Sequence, residues 1–476
     1  MFEFITNRKD IESELLDEVK LFFPYLEECA LSIFHEQKFI DFGEYVLTEN
    51  KVYVSQKTYT YTEKLYKTLS KQEFKRLDKR TCKQAIFNAL KEVKGESPPW
   101  GSLTGIRPSK LVYDMLNEGL DLSSCRSELC KRFSVSPSKA NLICDIVANQ
   151  MGYIERDNRL FNLYVHIPFC TSKCNYCSFT TEGVARCKNL IPDYVEKLKI
   201  EIDRAVESIL KQGKMFSIYV GGGTPTALEA DDIYYLLKDL PSSGLEFTVE
   251  AGRPDTITEE KLDAIKRVGA TRICVNPQTF NDKTLQKIGR AHTTADFYDK
   301  YTLARKYGFD INVDLIAGLS DETIDEFAFS IDSAFDLKPE NVTVHTLSRK
   351  NGSILKQQGK HENNDISLMT EYAYEKLTSG EYIPYYLYRQ KQMLGNLENV
   401  GYCIDGKQCV NNITTMEDCM SVIACGAGAI SKIVETRENR IERLANVRDV
   451  RLYLQQFDKK LEEKEIFLEK QFTNLK

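Results

Sequence analysis

The feature that most constrains the fold is an alternation of short strand-like runs with amphipathic helical segments through the middle of the chain. Helical segments are indicated at 191–210, 258–268, 295–307 and 322–335. Strands that alternate with helices are joined by right-handed crossovers into a parallel sheet. The strand-like runs are rich in β-branched and aromatic residues and begin at Leu163 (LYVHI), Met215 (MFSIYV), Leu245 (LEFTVE), Thr271 (TRICV), Asp310 (DINVDLI) and Asn341 (NVTVHTL).

Six such units predict an α/β fold with a partial (β/α)6 barrel in residues 156–350. They occupy about 180 residues, which suits a partly closed version of the barrel of eight units. Catalytic groups in barrels of this kind come from the loops at the carboxyl ends of the strands. The residues that follow each run are therefore the first place to look for chemistry.

Residues 1–155 predict a separate N-terminal α+β accessory domain. We expect a helix at Ile11–Phe23, a pair of strands within Tyr45–Val54 that turns around Glu49-Asn50, and a lysine-rich helix at Thr62–Val93. The segment SPPWGSLTGIRPSK, from Ser97 to Lys110, interrupts this regularity with three prolines and two glycines and holds the only tryptophan, Trp100. It predicts either a lid over the barrel or a turn whose tryptophan fills a core.

Residues 351–476 predict a C-terminal extension that completes the substrate pocket. An aromatic, strand-like run lies at 382–389, a glycine-rich stretch at 423–433 and a charged helical tail at 446–470.

Composition narrows the class of protein. The chain has 42% hydrophobic and 28% charged residues with a net charge of −6, which is ordinary for a globular protein and leaves no basic footprint for nucleic acid. No run approaches the roughly 20 apolar residues of a membrane helix, and the first residues lack the pattern of a signal peptide. We therefore expect a cytoplasmic protein without membrane or nucleic-acid partners, in which the 14 cysteines are thiols or metal ligands.

The most informative motif is the string YVHIPFCTSKCNYCSF, from Tyr164 to Phe179. It places Cys170, Cys174 and Cys177 as CxxxCxxC in the loop after the first strand. Three thiolates on one loop suit a [4Fe-4S] cluster, which usually takes four protein cysteines. One iron is then open to a small chelating ligand, such as the amino and carboxylate groups of S-adenosylmethionine (SAM). An electron from the cluster could cleave a C–S bond of the sulfonium and release a 5′-deoxyadenosyl radical.

Other interpretations of the cysteines remain open. A structural zinc site normally uses two separated pairs of ligands, and no second pair of that kind follows here. Cys187 is a conceivable fourth ligand, and unligated core cysteines are a further alternative. His166, inside the strand, is expected to pack or to orient the loop.

With this motif the chain resembles the radical SAM superfamily, and YVHIPFC resembles its oxygen-independent coproporphyrinogen III oxidase family. The N-terminal part and PWGSLTGIRP resemble the HemZ-type coproporphyrinogen dehydrogenases. The resemblance covers about residues 163–344 and returns near 425–432. It implies a radical-SAM barrel that binds a [4Fe-4S] cluster through Cys170, Cys174 and Cys177.

The resemblance also implies a set of SAM contacts at successive strand ends. Glycines let backbone N–H groups approach a ligand closely, and GGGTPT follows the second strand. Carboxylate, amide and guanidinium groups suit a charged nucleoside ligand. The implied residues are Tyr164, Tyr176, Gly222, Gly223, Thr224, Glu250, Gln278, Arg290, Asp314, Ser348 and Ile430, the last within CGAGAISK, which resembles a stretch near a second SAM site.

The activity implied by the resemblance is oxidative decarboxylation of coproporphyrinogen III propionates to vinyls in haem biosynthesis. Its low-potential electron would come from a flavodoxin or ferredoxin. Substrate carboxylates need cations, and Arg253, Arg349, Lys350 and Arg389 are candidates by position.

Two alternatives use the same cluster: a haem-binding chaperone and an anaerobic haem-modifying radical SAM enzyme. Phe179 stands where the oxidases have one further cysteine, which the radical SAM haem chaperones also lack.

Overall fold

A computed structural model describes residues 2–105, 107–154, 157–179, 181–348, 353, 365–390, 393–435 and 440–474. The chain divides into two compact units. The first is Met1–Cys144 with Gly395–Leu397, and the second is Asp145–Leu394 with Glu398–Lys476. Arg349 and Lys350, two of the predicted substrate cations, lie outside the described residues.

The first unit contains a four-stranded sheet in the order β1-β2-β3-β4, with helices α1 and α2 packed against it. Only β1 and β2 are parallel among these strands. The elements are β1 (Glu3–Thr6), α1 (Glu12–Phe22), β2 (Ser32–Asp41), β3 (Tyr45–Val54), β4 (Lys57–Tyr66), α2 (Lys71–Lys94), α3 (Ser109–Asn117) and α4 (Leu122–Phe133), followed by α5 (Pro137–Gln150), which continues into the second unit.

Two expectations for this unit were wrong. Tyr45–Val54 is one continuous strand rather than a pair. All ten of its residues pair with β4, and all except Tyr45 also pair with β2. Residues 62–66 belong to β4, and the helix predicted from Thr62 begins at Lys71, where Ser70 and Glu73 form a capping box. Trp100 is fully buried, and the hydroxyl of the neighbouring Ser102 donates to the backbone oxygen of Phe133.

The second unit is built on six parallel strands in chain order, as the alternation predicted. These are β5 (Leu160–Ile167), β8 (Lys214–Gly222), β9 (Glu246–Val249), β10 (Arg272–Cys274), β11 (Asp310–Ala317) and β12 (Asn341–Thr346). The short strands β6 (Phe169–Cys170) and β7 (Glu182–Gly183) pair with each other beyond the end of β5. All six carboxyl ends face the same edge, which is where the site is found.

The C-terminal residues extend this sheet at both sides. Beside β12 lie β14 (Asn399–Ile404) and β13 (Tyr382–Tyr388), both antiparallel to their neighbours. Beside β5 lie β15 (Ser421–Cys425), which is parallel to it, and the antiparallel strands β16 (Ile430–Glu435) and β17 (Arg440–Ala445). The described residues thus form a sheet of eleven strands.

Helices connect and cover these strands. Their starts carry local signals, such as the capping boxes of Thr293 with Asp296 and Thr323 with Glu326. None of the described helices combines the length and the apolar character that crossing a bilayer requires. The helices are α6 (Val184–Cys187), α7 (Ile191–Gln212), α8 (Ala230–Leu237), α9 (Glu259–Arg267), α10 (Asp282–Lys287), α11 (Thr294–Lys306), α12 (Ile324–Leu337), α13 (Ile366–Thr378), α14 (Val410–Met416), α15 (Val450–Gln455) and α16 (Phe457–Asn474).

Candidate active site

The cysteine loop leaves the barrel at the carboxyl end of β5. Cys174 is buried, whereas Cys170 and Cys177 are half-buried, and the backbone N–H of Cys177 donates to the carbonyl of Cys174 at 3.1 Å. Burial raises the pKa of the Cys177 thiol, and the nearby Cys174 and Cys170 raise it further. The three thiols therefore lie near one another on a loop that would have to carry them as thiolates.

Neighbouring loops hold the cysteine loop in place. The hydroxyl of Ser172 donates to the carbonyl of Gly289 at 3.2 Å, and the backbone N–H of Asn175 donates to the carbonyl of Ile288 at 3.0 Å. Both acceptors lie just after α10, in the connection between β10 and β11. The loop after β5 is therefore fixed by residues that come more than 100 positions later in the chain.

Arg253, which sequence reasoning offered as a cation for substrate carboxylates, is engaged elsewhere. It is 4% exposed, and its guanidinium donates to the carbonyl of Ser172, to the sulfur of Cys174 and to the carboxylate of Asp255. That prediction is wrong, because these contacts occupy the side chain against the cysteine loop. Arg389, another of those candidates, is buried.

The glycine turn after β8 is packed too tightly for any side chain. A Cβ on Gly223 would lie 2.5 Å from the backbone oxygen of Phe169, and one on Gly222 would lie 2.9 Å from the ring of His166. Gly222 has φ +110°, a conformation that residues with a side chain rarely adopt. The N–H of Gly223 donates to Ile167 and that of Thr224 donates to Phe169, so the turn is bound to the start of the cysteine loop.

Tyr176 and Arg290 join the cysteine loop to the connection after β10. The guanidinium of Arg290 donates to the hydroxyl of Tyr176 at 3.1 Å and to the carbonyl of Gly252 at 3.1 Å. Burial raises the pKa of Tyr176, against the lowering effect of Arg290, so the phenol stays protonated. Thr224 completes this side of the site, with its hydroxyl 3.5 Å from the sulfur of Cys170.

A cavity of about 520 Å³ lies inside the barrel. Four of the predicted SAM contacts line it: Tyr164, Glu250, Asp314 and Ile430. Two cations from the C-terminal strands also line it: Arg443, and Lys432, whose ammonium pairs with Asp418 at 2.5 Å. The cavity is therefore lined by both carboxylates and cations, together with the aromatic side chains of Tyr219, Tyr386 and Tyr388.

Glu250, directly after β9, has an unusual protonation equilibrium. Tyr219 donates to its carboxyl at 2.6 Å, and a Cβ on Gly221 would lie 2.7 Å from the same group. Burial, with a smaller contribution from Asp314, raises the pKa of Glu250 to about 7. A cationic ligand in the cavity would favour its ionised form.

Asp314 is held in the ionised form instead. Its carboxylate accepts from the amide groups of Asn276 and Asn312, both at 2.7 Å, and lies 3.5 Å from Nε2 of His345. Burial alone would raise its pKa, but the contacts with His345 and Asn312 bring the pKa below its usual value. The cavity is thus faced by two carboxyl groups, one with a raised pKa and one with a lowered pKa.

Gln278 stands next to Asp314 through the backbone. Its N–H donates to the carbonyl of Asp314 at 3.0 Å, and its own carbonyl accepts from Ile316 at 2.9 Å. The side-chain oxygen Oε1 is buried and accepts no hydrogen bond from the described part of the chain. Such a group is expected to meet a ligand or water.

The last two predicted contacts are Ser348, which does not line the cavity, and Ile430, which does. Ser348 follows β12 and forms an isolated antiparallel bridge with Met393. Ile430 begins β16 and is 46% exposed. The nearby turn at Gly426 packs against the carbonyl of His166, from which a Cβ would be 2.4 Å away, so CGAGAISK adjoins the start of the cysteine loop.

Sequence reasoning missed Tyr219, His345 and Tyr388, which line the cavity. Tyr219 could have been found, because it lies at the position of β8 that pairs with Tyr164. His345 lies near the end of a run that the sequence predicts as a strand, so it also could have been found, whereas Tyr388 depends on the pairing of β13 with β14, which no local pattern indicates.

The residues present suit a three-cysteine cluster with a bound nucleoside cation. Within the described ranges, no three His, Cys, Asp or Glu side chains are arranged to hold a single metal ion. In a cubane each thiolate binds a different iron, so the three thiols need not converge on one point. The tight glycine turn, the buried Oε1 of Gln278 and the carboxyl groups of Glu250 and Asp314 are groups that suit a charged nucleoside ligand.

Comparison with known proteins agrees with this interpretation. The family model of the radical SAM superfamily matches residues 164–334. The chain is 37% identical over 418 residues to the oxygen-independent coproporphyrinogen-III oxidase-like protein HemZ of Bacillus subtilis, covering 84% of this chain and 83% of that protein. It is 30% identical over 286 residues to the heme chaperone HemW of Haemophilus influenzae, covering 57% of this chain and 70% of that one.

Among solved structures, the coproporphyrinogen III oxidase HemN from Escherichia coli superposes with a TM-score of 0.51. The match covers 66% of this chain and 73% of HemN, at 22% sequence identity. At that identity the likeness concerns the fold alone, and it supports the assignment of the six parallel strands to a radical SAM barrel.

Proposed function

The chain belongs to the radical SAM superfamily, in the family of the oxygen-independent coproporphyrinogen-III oxidase-like HemZ proteins, and from that premise we propose that it oxidatively decarboxylates the propionates of coproporphyrinogen III. The cofactors of the superfamily are a [4Fe-4S] cluster and SAM. When bound, they supply a 5′-deoxyadenosyl radical through one-electron cleavage of a carbon–sulfur bond.

The protein's own residues bind and orient the reactants. Cys170, Cys174 and Cys177 would each hold one iron. The N–H groups of Gly223 and Thr224 are already bonded within the protein, so the turn Gly222–Thr224 would receive the amino acid end of SAM by letting it approach a backbone that carries no side chain at the two glycines. Ionised Glu250 would accept from the ribose hydroxyls, while Asp314 and Gln278 provide further acceptors. Enclosure within the barrel keeps water from the reactive carbon.

The observation that carries the proposal is the mixed lining of the cavity. Glu250 and Asp314 suit a cationic cofactor, whereas Arg443, which is exposed, suits a substrate that carries carboxylates; Lys432 is already paired with Asp418. Each propionate would lose a hydrogen atom from the carbon β to its carboxylate. Loss of CO2 and removal of one electron by an acceptor would then leave a vinyl group. A tetrapyrrole with four propionates can place one arm in the cavity and leave the others at the rim.

A haem-handling role is the second candidate. The similarity to the heme chaperone HemW and the presence of Phe179 two positions after Cys177 both favour it. Phe179 is 57% exposed, so an apolar ring stands beside the cysteine loop where a flat ligand could stack.

We place either activity in the cytoplasm, with a flavodoxin or ferredoxin as the electron donor. A low-potential cluster needs such a donor, and the reducing compartment keeps the cysteines available as ligands.

The deciding experiment is anaerobic turnover of the reconstituted full chain with SAM and a reductant. Coproporphyrinogen III and haem are offered in parallel, and product masses and 5′-deoxyadenosine are recorded. We expect a product that has lost two CO2 and four hydrogens from coproporphyrinogen III. Cys174→Ala should abolish it, whereas Cys187→Ala, at a buried cysteine outside the loop, should retain it.

The outcome for haem separates the two candidates. 5′-Deoxyadenosine formed with haem and not with coproporphyrinogen would replace the decarboxylase assignment with a haem-modifying one. Stable haem binding without SAM cleavage would favour the chaperone.

A further inference from the structure

Arg253 forms a closed set of contacts around the middle cysteine of the loop. Its Nη1 donates to the carbonyl of Ser172 at 3.1 Å and to the sulfur of Cys174 at 3.6 Å. Its Nε and Nη2 donate to the two carboxylate oxygens of Asp255 at 3.1 and 3.3 Å. All three guanidinium nitrogens are therefore used, and two of the contacts are made to the cysteine loop itself.

Asp255, the partner of Arg253, also contacts the cysteine loop. Its Oδ2 accepts from the hydroxyl of Thr171 at 3.0 Å, so the connection after β9 binds both ends of the segment Thr171–Cys174. Thr256 connects these residues to the glycine turn. Its hydroxyl donates to the carbonyl of Arg253 and lies 2.6 Å from the hydroxyl of Thr226, just past that turn. A planar guanidinium held at both edges has little rotational freedom left.

The side chains that meet the sulfurs of Cys170 and Cys174 differ in charge. Cys170 meets the neutral hydroxyl of Thr224 at 3.5 Å. Cys174 receives an N–H from a cation with 4% exposure, where screening by water is weak. Hydrogen bonds to cluster sulfurs and the net charge around the cluster are what set the potential of an iron–sulfur centre. Cys174 therefore receives a direct hydrogen bond from a buried guanidinium, and the charge of Arg290 acts on it as well.

We propose that Arg253 is a positioning residue that orients the Cys174 thiolate and raises the reduction potential of the cluster, with Asp255 as the opposing charge. The inference rests on the proposed function only in requiring the cluster. Reduction adds a negative charge, which a nearby guanidinium stabilises and a nearby carboxylate disfavours. The pair would then set how readily the donor's electron enters.

The test measures the midpoint potential of the anaerobically reconstituted full chain by EPR-monitored redox titration, with iron and sulfide content determined in parallel. We expect Arg253→Gln to lower the ratio of reduced to oxidised cluster at a fixed potential by three- to tenfold, tenfold being about 59 mV for one electron. Arg253→Lys, which keeps the charge but loses the fork, should shift the ratio in the same direction by less. Asp255→Asn should shift it in the opposite direction.

Arg267→Gln, an exposed arginine of α9 that pairs with Asp263, is the matched control and should leave the potential unchanged. Unshifted potentials in Arg253→Gln and Arg253→Lys with full iron content would overturn the proposal. If neither variant loads a cluster, Asp255→Asn decides, and an unshifted or lowered potential there also overturns it.

These readouts do not depend on turnover. A wild-type protein that has a cluster but no activity on coproporphyrinogen would contradict the proposed function. The role of Arg253 would then still be decided by the midpoint potentials of its variants. A wild-type protein without a cluster would contradict both.

Discussion

At the scale of single residues, the glycine turn after β8 is the most sensitive point of the candidate site. Gly223→Ala would bring a Cβ to 2.5 Å from a backbone oxygen, which cannot rotate away as a flexible side chain could. We expect a loss of stability of about 1–3 kcal/mol and, because the turn must shift, a loss of SAM affinity of at least about tenfold, or 1.4 kcal/mol. Thermal unfolding and anaerobic equilibrium binding measure the two effects.

Gly183→Ala is the matched control for that substitution. A Cβ there meets nothing within 4 Å, although Gly183 also adjoins the cysteine loop through β7. Equal effects of the two substitutions on SAM affinity would contradict a role of the turn in binding.

Glu250 makes SAM binding depend on pH. With a pKa of about 7 its carboxyl is mostly protonated at pH 6, and a cationic ligand with hydroxyl donors binds the ionised form better. We expect affinity to rise as the pH increases from 6 to 8, by up to about tenfold per pH unit below the pKa. Isothermal titration calorimetry at several pH values checks this, and Glu250→Gln should give weaker binding with a flat profile.

The sign for stability is the reverse. Because folding raises the pKa of Glu250, the SAM-free protein loses stability as the pH rises through the interval from its unfolded value to about 7. Asp314 stays ionised and His166, with a pKa of about 4, stays neutral between pH 6 and 8, so neither changes charge in this range. A SAM-free protein that gained stability between pH 5 and 7 through this residue, by comparison with Glu250→Gln, would contradict the assignment.

At the scale of elements, the C-terminal helix α16 is tied to the barrel by a buried ion pair. Lys464 contacts Glu201 of α7 at 2.8 Å and donates to the carbonyl of Ala424 in β15 at 2.6 Å. Glu201 also accepts from the hydroxyl of Tyr453 and from the N–H of Gly426. This single carboxylate therefore joins two helices and the turn that contacts the end of β5.

Breaking this pair should destabilise the barrel. Glu201→Gln leaves the Lys464 ammonium buried without its counter-charge, and we expect a cost of about 3–5 kcal/mol in the free energy of unfolding. Adding Lys464→Met to it should cost less than the sum of the single substitutions. Denaturant unfolding of the three variants measures the coupling.

The control for that cycle is an exposed pair on the same helix. Lys211→Met removes the contact of Lys211 with Glu207, which should change stability by at most about 1 kcal/mol. Additive effects of Glu201→Gln and Lys464→Met would contradict direct coupling.

At the scale of the whole molecule, we expect the second unit to bind the cluster and ask whether the first unit affects SAM cleavage. All three cluster cysteines and their described donors belong to the second unit. We expect a chain that begins at Ser136, which keeps the N-terminal hydrogen bonds of α5, to bind a cluster with wild-type iron content. If the Trp100 loop acts as a lid, substrate-dependent SAM cleavage should fall while cluster binding persists.

Iron analysis, EPR and 5′-deoxyadenosine formation distinguish the outcomes. Unchanged cleavage kinetics in the truncated chain would contradict the lid, and the buried position of Trp100 would then be explained by core packing alone. Loss of the cluster would show that the first unit is needed for the barrel itself.

Local patterns in the sequence determined the order of the strands, the starts of most barrel helices and the cysteine loop. Strand and helix periodicities are short-range, and parallel strands necessarily bring their carboxyl ends together, so the sequence alone assigns Glu250 and Gln278, which follow strand-like runs, to one edge of the sheet. The family resemblance, and not periodicity, implied Asp314, which lies inside its strand. The capping residues Thr258, Thr293 and Thr323 gave equally local signals for α9, α11 and α12.

Only the tertiary structure decided where side chains from distant segments point. The donation from Arg253 to Cys174, the C-terminal strands on both sides of the sheet and the cations at the cavity wall all depend on pairings between residues far apart in the chain. The same is true of β3, which local alternation split at Glu49 but which pairing with two neighbours keeps continuous. Periodicity reports which face of an element is apolar, whereas the contacts that give a polar side chain its role form only when the chain closes on itself.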